Sequence, residues 1–286
     1  MLKDIITSMR PGQWVKNIVI FAALVFSLNV SDRESLLRSL AAFALFCLLS
    51  SAVYLLNDVM DQKRDAAHPL KRNRPLASGR LSPKPAIVAA ALLGGGSIVI
   101  AFILSPAFGL AALSYVMLML FYTFWLKNIV IADVFAIAAG FVIRAVAGAE
   151  AIGVPISDWL LVCVIMLALF LALCKRRQEI SYLDDSARPV LGQYSKNLLD
   201  QMVAMAGSGA AICYSLYTLW PETVHKLGTA DMKYTIPLVI FGLFRYLFLV
   251  YKRQEAERPE RALFTDPWIL GDILLYGLLV WYLIYK

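Results

Sequence analysis

The sequence predicts an all-α membrane protein, a polytopic bundle of about nine transmembrane helices. Apolar residues make up 60% of the 286 positions and charged residues only 16%, whereas soluble domains are about half apolar and a quarter charged. The apolar residues gather in stretches that approach the length of a bilayer span, with polar segments between them. Backbone polar groups in lipid need partners within their own segment, so each stretch is predicted to form a helix.

Nine apolar stretches follow one another along the chain. They cover residues 18–30, 36–56, 86–104, 107–126, 129–148, 158–174, 198–220, 234–251 and 268–285. The first and the fourth are short or closely followed by the next. Turn-forming sequences near positions 105, 153 and 266 separate neighbouring stretches. Residues 1–286 are therefore predicted to form a single integral membrane domain.

The basic residues are distributed unequally between the two sides of the predicted bundle. With the N-terminus inside, 20 of the 27 Lys and Arg residues lie on the inner side, six lie on the outer side and Arg245 lies within a span. The positive-inside rule then predicts a cytoplasmic N-terminus in the plasma membrane, and nine helices place the C-terminus outside. Three long polar loops, at about 57–85, 175–197 and 252–266, form a cytoplasmic cap.

The net charge of +7 arises from basic residues that lie between apolar spans. This placement favours membrane phosphates or a phosphorylated substrate as partners, rather than nucleic acid. The sequence is compatible with an oligomer.

An acidic motif follows the second apolar stretch, with the pattern NDxxDxxxD at Asn57, Asp58, Asp61 and Asp65. If the helix continues through it, spacings of three and four residues align these oxygens on one face. Carboxylates so close together repel one another unless they share a cation. Magnesium suits them, because it binds a few carboxylates and bridges to substrate phosphates. The alternative is a solvated helix end whose acids happen to align.

A basic segment comes next, with Lys71, Arg72 and Arg74 between His68 and Arg80. Arginine grips phosphate oxygens with two parallel hydrogen bonds, and lysine supplies a point charge. A metal site followed by cations is what a diphosphate-bearing ligand requires. The alternative is that the positive-inside bias alone accounts for these residues.

These two motifs, Asn57–Asp65 and Arg74-Pro75-Leu76-Ala77-Ser78-Gly79, resemble the NDxxDxxxD and RPLxxG pair of the UbiA superfamily of intramembrane prenyltransferases. The resemblance implies a nine-helix bundle around a central cavity, with Mg²⁺ as cofactor. It also implies that Asp58, Asp61 and Asp65 hold the metal and act in catalysis, and that Asn57 contacts substrate.

More of the chain is similar to one branch, the decaprenyl-phosphate phosphoribosyltransferases. The similar segments are RPGQWVKN at 10–17, YTFWLK at 122–127 leading to Asp133, GFVIRAVAG at 140–148, Lys175-Arg176 with Glu179, and ERPE at 257–260 with Asp266. This resemblance implies a catalytic role for Lys127. It implies substrate contacts for Lys16, Lys71, Arg72, Arg74, Tyr122, Asp133, Lys175, Arg176 and Glu179. Capping of a helix competes with that role for Asp133, and anchoring at the membrane interface competes with it for Tyr122.

The branch implies transfer of 5-phosphoribose from phosphoribosyl pyrophosphate to a polyprenyl phosphate in the bilayer, for cell-wall arabinan or a related glycan. The alternative is transfer of an isoprenoid from its diphosphate to an aromatic acceptor such as 4-hydroxybenzoate. Aromatic prenyltransferases have a second aspartate-rich motif where this chain has a basic segment at 175–185, which favours the first reaction. A transporter is disfavoured, because the acids lie at one face rather than near the midplane.

Two further expectations concern individual charges. Arg144 lies in an apolar stretch and is expected to form an ion pair with Glu150, to line a cavity wall or to extend to the outer interface. Asp58 is expected at a wet surface, so that Asp58→Asn abolishes turnover without unfolding the bundle.

Overall fold

The computed structural model describes residues 1–68, 71–182, 190–252 and 265–285, and all regular secondary structure within them is helical. The chain forms two compact units. Unit 1 comprises Met1–Lys127 and Gly140–Ile156, and unit 2 comprises Asn128–Ala139 and Ser157–Lys286. The predicted single membrane domain concerns how these units combine, and it stays a prediction.

Unit 1 contains most of the N-terminal helices. They are α1 (Leu2–Met9), a 3₁₀-helix (Pro11–Ile20), α2 (Phe21–Phe26), α3 (Arg33–Met60), α4 (Gln62–Ala67), α5 (Pro83–Leu104), α6 (Pro106–Phe124) and the end of α7 (Ala132–Ile152). Two of them begin at side-chain caps. Asp32 accepts a hydrogen bond from the Ser35 amide, and Ser105 accepts one from the Phe108 amide. Such caps satisfy amide donors that a helix leaves open at its first turn.

Unit 2 contains the start of α7 and the C-terminal helices. They are α8 (Asp158–Tyr182), α9 (Lys196–Leu219), α10 (Pro221–Leu227), a 3₁₀-helix (Asp231–Thr235), α11 (Ile236–Lys252) and α12 (Pro267–Tyr285). Asp266 closes the first turn of α12, because its carboxylate accepts from the Trp268 and Ile269 amides at 3.1 Å each. The Arg245 guanidinium donates to the same carboxylate at 3.1 and 2.7 Å. These hydrogen bonds from Arg245 hold the pKa of Asp266 below the usual range of an aspartate.

Among the described residues, eight helical segments are long and apolar enough to cross a membrane. They correspond to the last eight predicted stretches, so the polytopic all-α class is confirmed. The first predicted stretch, 18–30, differs, because this part of the chain is the short apolar segment Pro11–Phe26. Ten of its residues are 3₁₀ and six are α-helical, so it reaches roughly 29 Å, close to the thickness of a hydrocarbon core.

The 3₁₀-helix and α7 approach each other without room for a side chain at Gly148. A Cβ there would lie 2.1 Å from the carbonyl oxygen of Ile20, a backbone atom that cannot rotate away. We expect Gly148→Ala to lower the free energy of unfolding by about 3 kcal/mol, since this is overpacking against a backbone. The measurement is thermal unfolding in detergent. The matched control is Gly95→Ala, whose new Cβ meets no atom within 4 Å, and equal unfolding midpoints for the two variants would contradict the packing.

Arg144 is buried inside unit 1, with 5% of its surface exposed. Its guanidinium donates to the Asn17 Oδ1 at 2.7 Å, the Gly140 carbonyl at 2.9 Å and the Tyr115 hydroxyl at 2.8 Å. The expected pair with Glu150 and the expected extension to an interface are therefore wrong, because the partners of Arg144 are neutral oxygens and its side chain is buried. Nearby segments of the same unit supply acceptors for the charge, so it is tolerated where it lies.

Candidate active site

The acidic motif lies where α3 ends. Asp61 follows the last residue of α3 and leaves the helical conformation at φ −93° and ψ 8°, and α4 begins at the next residue. The helix is thus interrupted at Asp61, whereas the prediction from the residue spacing assumes a continuous helix. Hydrogen bonds from the Asp61 amide to the Asn57 carbonyl (2.9 Å) and from the Asp65 amide to the Asp61 carbonyl (2.8 Å) still keep the chain winding. The three aspartates therefore stay on successive turns.

Asp58 is covered rather than wet, with 2% of its surface exposed. Its carboxylate accepts hydrogen bonds from Arg10 and from the Arg74 Nη1 at 3.2 Å. The expectation of a wet surface is wrong, because the N-terminal segment packs on α3 at this level. Trp14 anchors that segment by donating its indole N–H to the Ser51 hydroxyl at 3.0 Å.

The RPLASG loop folds back onto the acidic motif. The Nη1 of Arg74 lies 2.6 Å from an Asp65 oxygen as well as 3.2 Å from Asp58. Leu76 is fully buried and anchors the loop, and its carbonyl accepts a hydrogen bond from the Gln62 amide group. Gly79 has a φ of +76°, a left-handed conformation that glycine adopts at little cost. The fold of the RPLASG loop therefore positions one guanidinium, that of Arg74, between two carboxylates.

Lys127 completes this cluster from the short 3₁₀ turn after α6. Its Nζ lies 2.8 and 3.0 Å from the two carboxylate oxygens of Asp61. Two weaker contacts add positive charge: Arg64 lies 3.8 Å from Asp61, and Lys71 lies 3.9 Å from Asp65. The structure thus brings the predicted residues Asp58, Asp61, Asp65, Lys71, Arg74 and Lys127 together within unit 1.

Cations hold the positions next to the three aspartates. In the part of the chain that the structure describes, there is no group of three or more His, Cys, Asp or Glu residues already arranged to hold a metal ion. Two of the carboxylates nevertheless converge on one point, the Nη1 of Arg74. Carboxylate oxygens are the ligands that magnesium prefers. The donor set therefore fits a magnesium ion that displaces this guanidinium, and the three-aspartate metal site stays a prediction.

A second ionic cluster lies within unit 2 around Arg176, which is 1% exposed. Its guanidinium donates to Asp133 at 2.6 Å and to Glu179 at 2.5 Å. The Tyr194 hydroxyl donates to the other Asp133 oxygen at 2.8 Å. Burial and this hydrogen bond raise the pKa of Tyr194 to about 12, so the hydroxyl keeps its proton at neutral pH. Three of the predicted substrate contacts thus lie in one buried network.

The remaining predicted residues are placed more simply. Lys16, Asn57, Tyr122 and Lys175 are half-buried, and Arg72 is exposed. Parts of the basic segment (69–70) and of the predicted cap loops (183–189 and 253–264) lie outside the described residues, and with them the similar segment at 257–260. Sequence reasoning missed Arg10 as a contact of Asp58 and Tyr194 as a contact of Asp133. Arg10 opens the RPGQWVKN segment, which was a usable signal; no pattern marked Tyr194.

Arg176 provides a stability prediction. We expect Arg176→Lys to lower the free energy of unfolding by about 2 kcal/mol, because a lysine cannot span two carboxylates as the guanidinium does and the site is buried. Thermal unfolding in detergent measures this. Arg38→Lys is the control, since Arg38 pairs with Glu34 on an exposed surface, where an ion pair contributes about 0–1 kcal/mol. Equal midpoints for the two variants would show that the Arg176 network does not stabilise the unit.

Known proteins are similar to this chain over most of its length. A family model described as the UbiA prenyltransferase family matches residues 18–266. The decaprenyl-phosphate phosphoribosyltransferase of Mycolicibacterium smegmatis is 30% identical over 276 residues, which cover 92% of this chain and 87% of that protein. The enzyme of the same name from Mycobacterium tuberculosis H37Rv is 32% identical, over 76% of this chain and 74% of that protein.

A solved structure shares the fold. A UbiA homolog from Archaeoglobus fulgidus bound to DMAPP and Mg²⁺ superposes with a TM-score of 0.75 at 18% sequence identity, covering 97% of this chain and 98% of that one.

Proposed function

Because this chain belongs to the UbiA prenyltransferase family, we propose that it is a multi-pass membrane phosphoribosyltransferase that uses a polyprenyl phosphate as acceptor. The donor is phosphoribosyl pyrophosphate, and diphosphate is released. The observation that carries this choice is similarity over most of the chain to enzymes named decaprenyl-phosphate phosphoribosyltransferase. The product suits the synthesis of cell-wall arabinan or a related glycan.

The charge of the cluster in unit 1 suits such a donor. Three carboxylates, Asp58, Asp61 and Asp65, are contacted by five cations, which are Arg10, Arg64, Lys71, Arg74 and Lys127. The cluster therefore has excess positive charge even before a metal binds. An anionic ligand with several phosphate oxygens is what neutralises it.

The reaction is a displacement at the anomeric carbon of the ribose. An oxygen of the lipid phosphate attacks this carbon, the bond from the carbon to the diphosphate oxygen breaks, and diphosphate leaves with the electron pair. A phosphate monoester is largely dianionic near neutral pH, with a second pKa of about 6, so the acceptor needs no strong base. This agrees with a chain that has only two histidines.

The residues of the cluster act on the leaving group. A magnesium ion held by Asp58, Asp61 and Asp65 would neutralise charge that develops on the diphosphate. Lys71, Arg74 and Lys127 offer fixed cations to the other oxygens of the donor. Cations that are already in place when charge develops cost no reorganisation, and preorganisation of this kind usually contributes more to catalysis than any other effect.

The topology of the proposal follows from the basic residues. We place the N-terminus and the acidic motif on the cytoplasmic side, because most Lys and Arg residues lie in the segments on that side. The water-soluble donor then enters from the cytoplasm, and the lipid acceptor reaches the site from the bilayer.

A direct assay tests the proposal. Purified protein in detergent receives Mg²⁺, labelled phosphoribosyl pyrophosphate and a polyprenyl phosphate, and we expect labelled lipid that disappears when the metal is chelated. A parallel reaction contains a prenyl diphosphate and 4-hydroxybenzoate. No labelled lipid in the first reaction, with prenylated product in the second, would overturn the proposal in favour of aromatic prenyl transfer.

A further inference from the structure

Arg10 occupies an unusual backbone position in unit 1. It lies between α1 and the 3₁₀-helix with φ 56° and ψ 62°, a left-handed conformation that residues other than glycine adopt infrequently. Glycine would fit this turn more easily. The surrounding packing nevertheless holds an arginine here, and strained positions of this kind concentrate at functional sites.

The side chain of Arg10 reaches the most buried acid of the motif. Its guanidinium contacts Asp58 and lies over the ring of Tyr54, 4.9 Å from the ring centroid. The side chain of Asp58 is 2% exposed, whereas that of Arg10 is 25% exposed. The guanidinium thus closes the accessible side of the carboxylate and is itself partly open to solvent.

The flanking residues hold Arg10 in this position. Ser51 of α3 accepts the indole N–H of Trp14 at 3.0 Å, and its hydroxyl proton is shared between the Cys47 carbonyl at 2.7 Å and the Met9 carbonyl at 3.1 Å. Residues on both sides of Arg10 are therefore fixed to α3, the helix that carries Asp58. The contact between Arg10 and Asp58 is built into the packing rather than left to a free chain end.

This geometry makes Arg10 a competitor for any cation at Asp58. Arg10 and Arg74 both donate to the same carboxylate oxygen, the Oδ1 of Asp58, so a divalent cation that binds this oxygen must displace at least one guanidinium. A displaced guanidinium beside a metal-bound diphosphate is a ready ligand for phosphate oxygens. Arg74 also contacts Asp65 at 2.6 Å, so it keeps a carboxylate partner if a metal ion takes Asp58. The contact that Arg10 makes with the acidic motif is to Asp58.

We propose that Arg10 is a further residue of the donor site, one that exchanges partners. It neutralises Asp58 before the divalent cation binds, and it contacts the donor's diphosphate once the cation has taken Asp58. This inference rests on the proposed function and adds an ordering to it: the metal binds weakly alone and tightly together with the donor.

The exchange predicts opposite effects of one substitution on two measurements. In Arg10→Gln, Mn²⁺ alone should bind on the order of tenfold more tightly, because a competing positive charge is gone. The KM for phosphoribosyl pyrophosphate should rise by about tenfold, because a charge-assisted contact is lost. Mn²⁺ affinity is read from the free-ion signal in electron paramagnetic resonance, and KM from labelled lipid. Arg10→Lys keeps the charge and should stay near the wild-type Mn²⁺ affinity.

The controls separate this inference from the proposed function. Arg38→Gln removes an exposed arginine at the other end of α3 and should change neither value. Unchanged or weaker Mn²⁺ binding by Arg10→Gln, with a wild-type unfolding midpoint, would overturn the exchange. If Arg10→Gln does not fold, weaker Mn²⁺ binding by a folded Arg10→Lys would overturn it as well. Wild-type protein that forms no labelled lipid would instead overturn the proposed function.

Discussion

Asp61→Asn should reduce the rate of labelled-lipid formation by about a hundredfold to a thousandfold, the order of magnitude found when one preorganised hydrogen-bond donor is removed from an active site. The substitution keeps the shape of the side chain and removes only its charge. Both carboxylate oxygens of Asp61 contact Lys127, so the change weakens a proposed metal ligand and releases its lysine. The measurement is the initial rate at saturating Mg²⁺ with phosphoribosyl pyrophosphate and polyprenyl phosphate.

Asp61 is the cleanest of the three aspartates to test. Its side chain is 17% exposed, whereas those of Asp58 and Asp65 are 2% and 4% exposed, so the folded state tolerates the loss best at Asp61. The matched control is Glu34→Gln, the same chemical change in an exposed ion pair of α3. A folded Asp61→Asn enzyme that retains most of its rate and still requires Mg²⁺ would remove Asp61 from the metal site.

Arg74→Lys should lower kcat/KM for phosphoribosyl pyrophosphate by about a hundredfold, since a lysine keeps the charge but not the planar fork. One nitrogen of Arg74 serves both Asp58 and Asp65. The shorter lysine side chain would hold its charge farther from the two carboxylates, so their mutual repulsion would increase. The lost interaction should therefore appear both as weaker donor use and as a lower unfolding midpoint. Steady-state kinetics at varied donor concentration and thermal unfolding measure the two effects.

Arg38→Lys is the control for this substitution, because Arg38 contacts an exposed acid on the same helix. It should leave kcat/KM and the unfolding midpoint as in the wild type. Wild-type kcat/KM in Arg74→Lys would mean that the loop contributes only charge, as the positive-inside bias alone would supply, and the specific role of the RPLASG segment would be withdrawn.

The membrane class and most of the helices were predictable from sequence because lipid imposes a strong constraint. A stretch of about twenty apolar residues has few structures available to it other than a helix, and eight described segments fit that expectation. The exception is Pro11–Phe26. Hydropathy records how apolar a segment is, and it does not record that ten of these residues wind as a tighter 3₁₀-helix.

Side-chain partners were less predictable when they came from distant parts of the chain. Glu150 is the acid near Arg144 in sequence, but the residues that receive this guanidinium include Asn17 and Tyr115. These lie 127 and 29 positions away in sequence, so no local pattern could identify them. The burial of Asp58 was missed for the same reason, since the N-terminal segment covers it.

The candidate site was predicted best where a motif is local. The acidic motif and the RPLASG loop are close in sequence, and Arg74 does contact Asp58 and Asp65. The resemblance to a known family added Lys127, which spacing alone would not have linked to Asp61 across 66 positions. It also pointed to Arg176 as a substrate contact. The structure shows this guanidinium bound to Asp133 and Glu179, and the substrate contact stays a prediction.

The most direct measurement is a density map of the protein in detergent with Mn²⁺ and phosphoribosyl pyrophosphate bound. We expect the metal in contact with the carboxylates of Asp58, Asp61 and Asp65 and with the donor's diphosphate, and Arg74 moved from the carboxylates to phosphate oxygens. A diphosphate bound away from these aspartates, with Arg74 still between Asp58 and Asp65, would contradict the proposed metal and donor site.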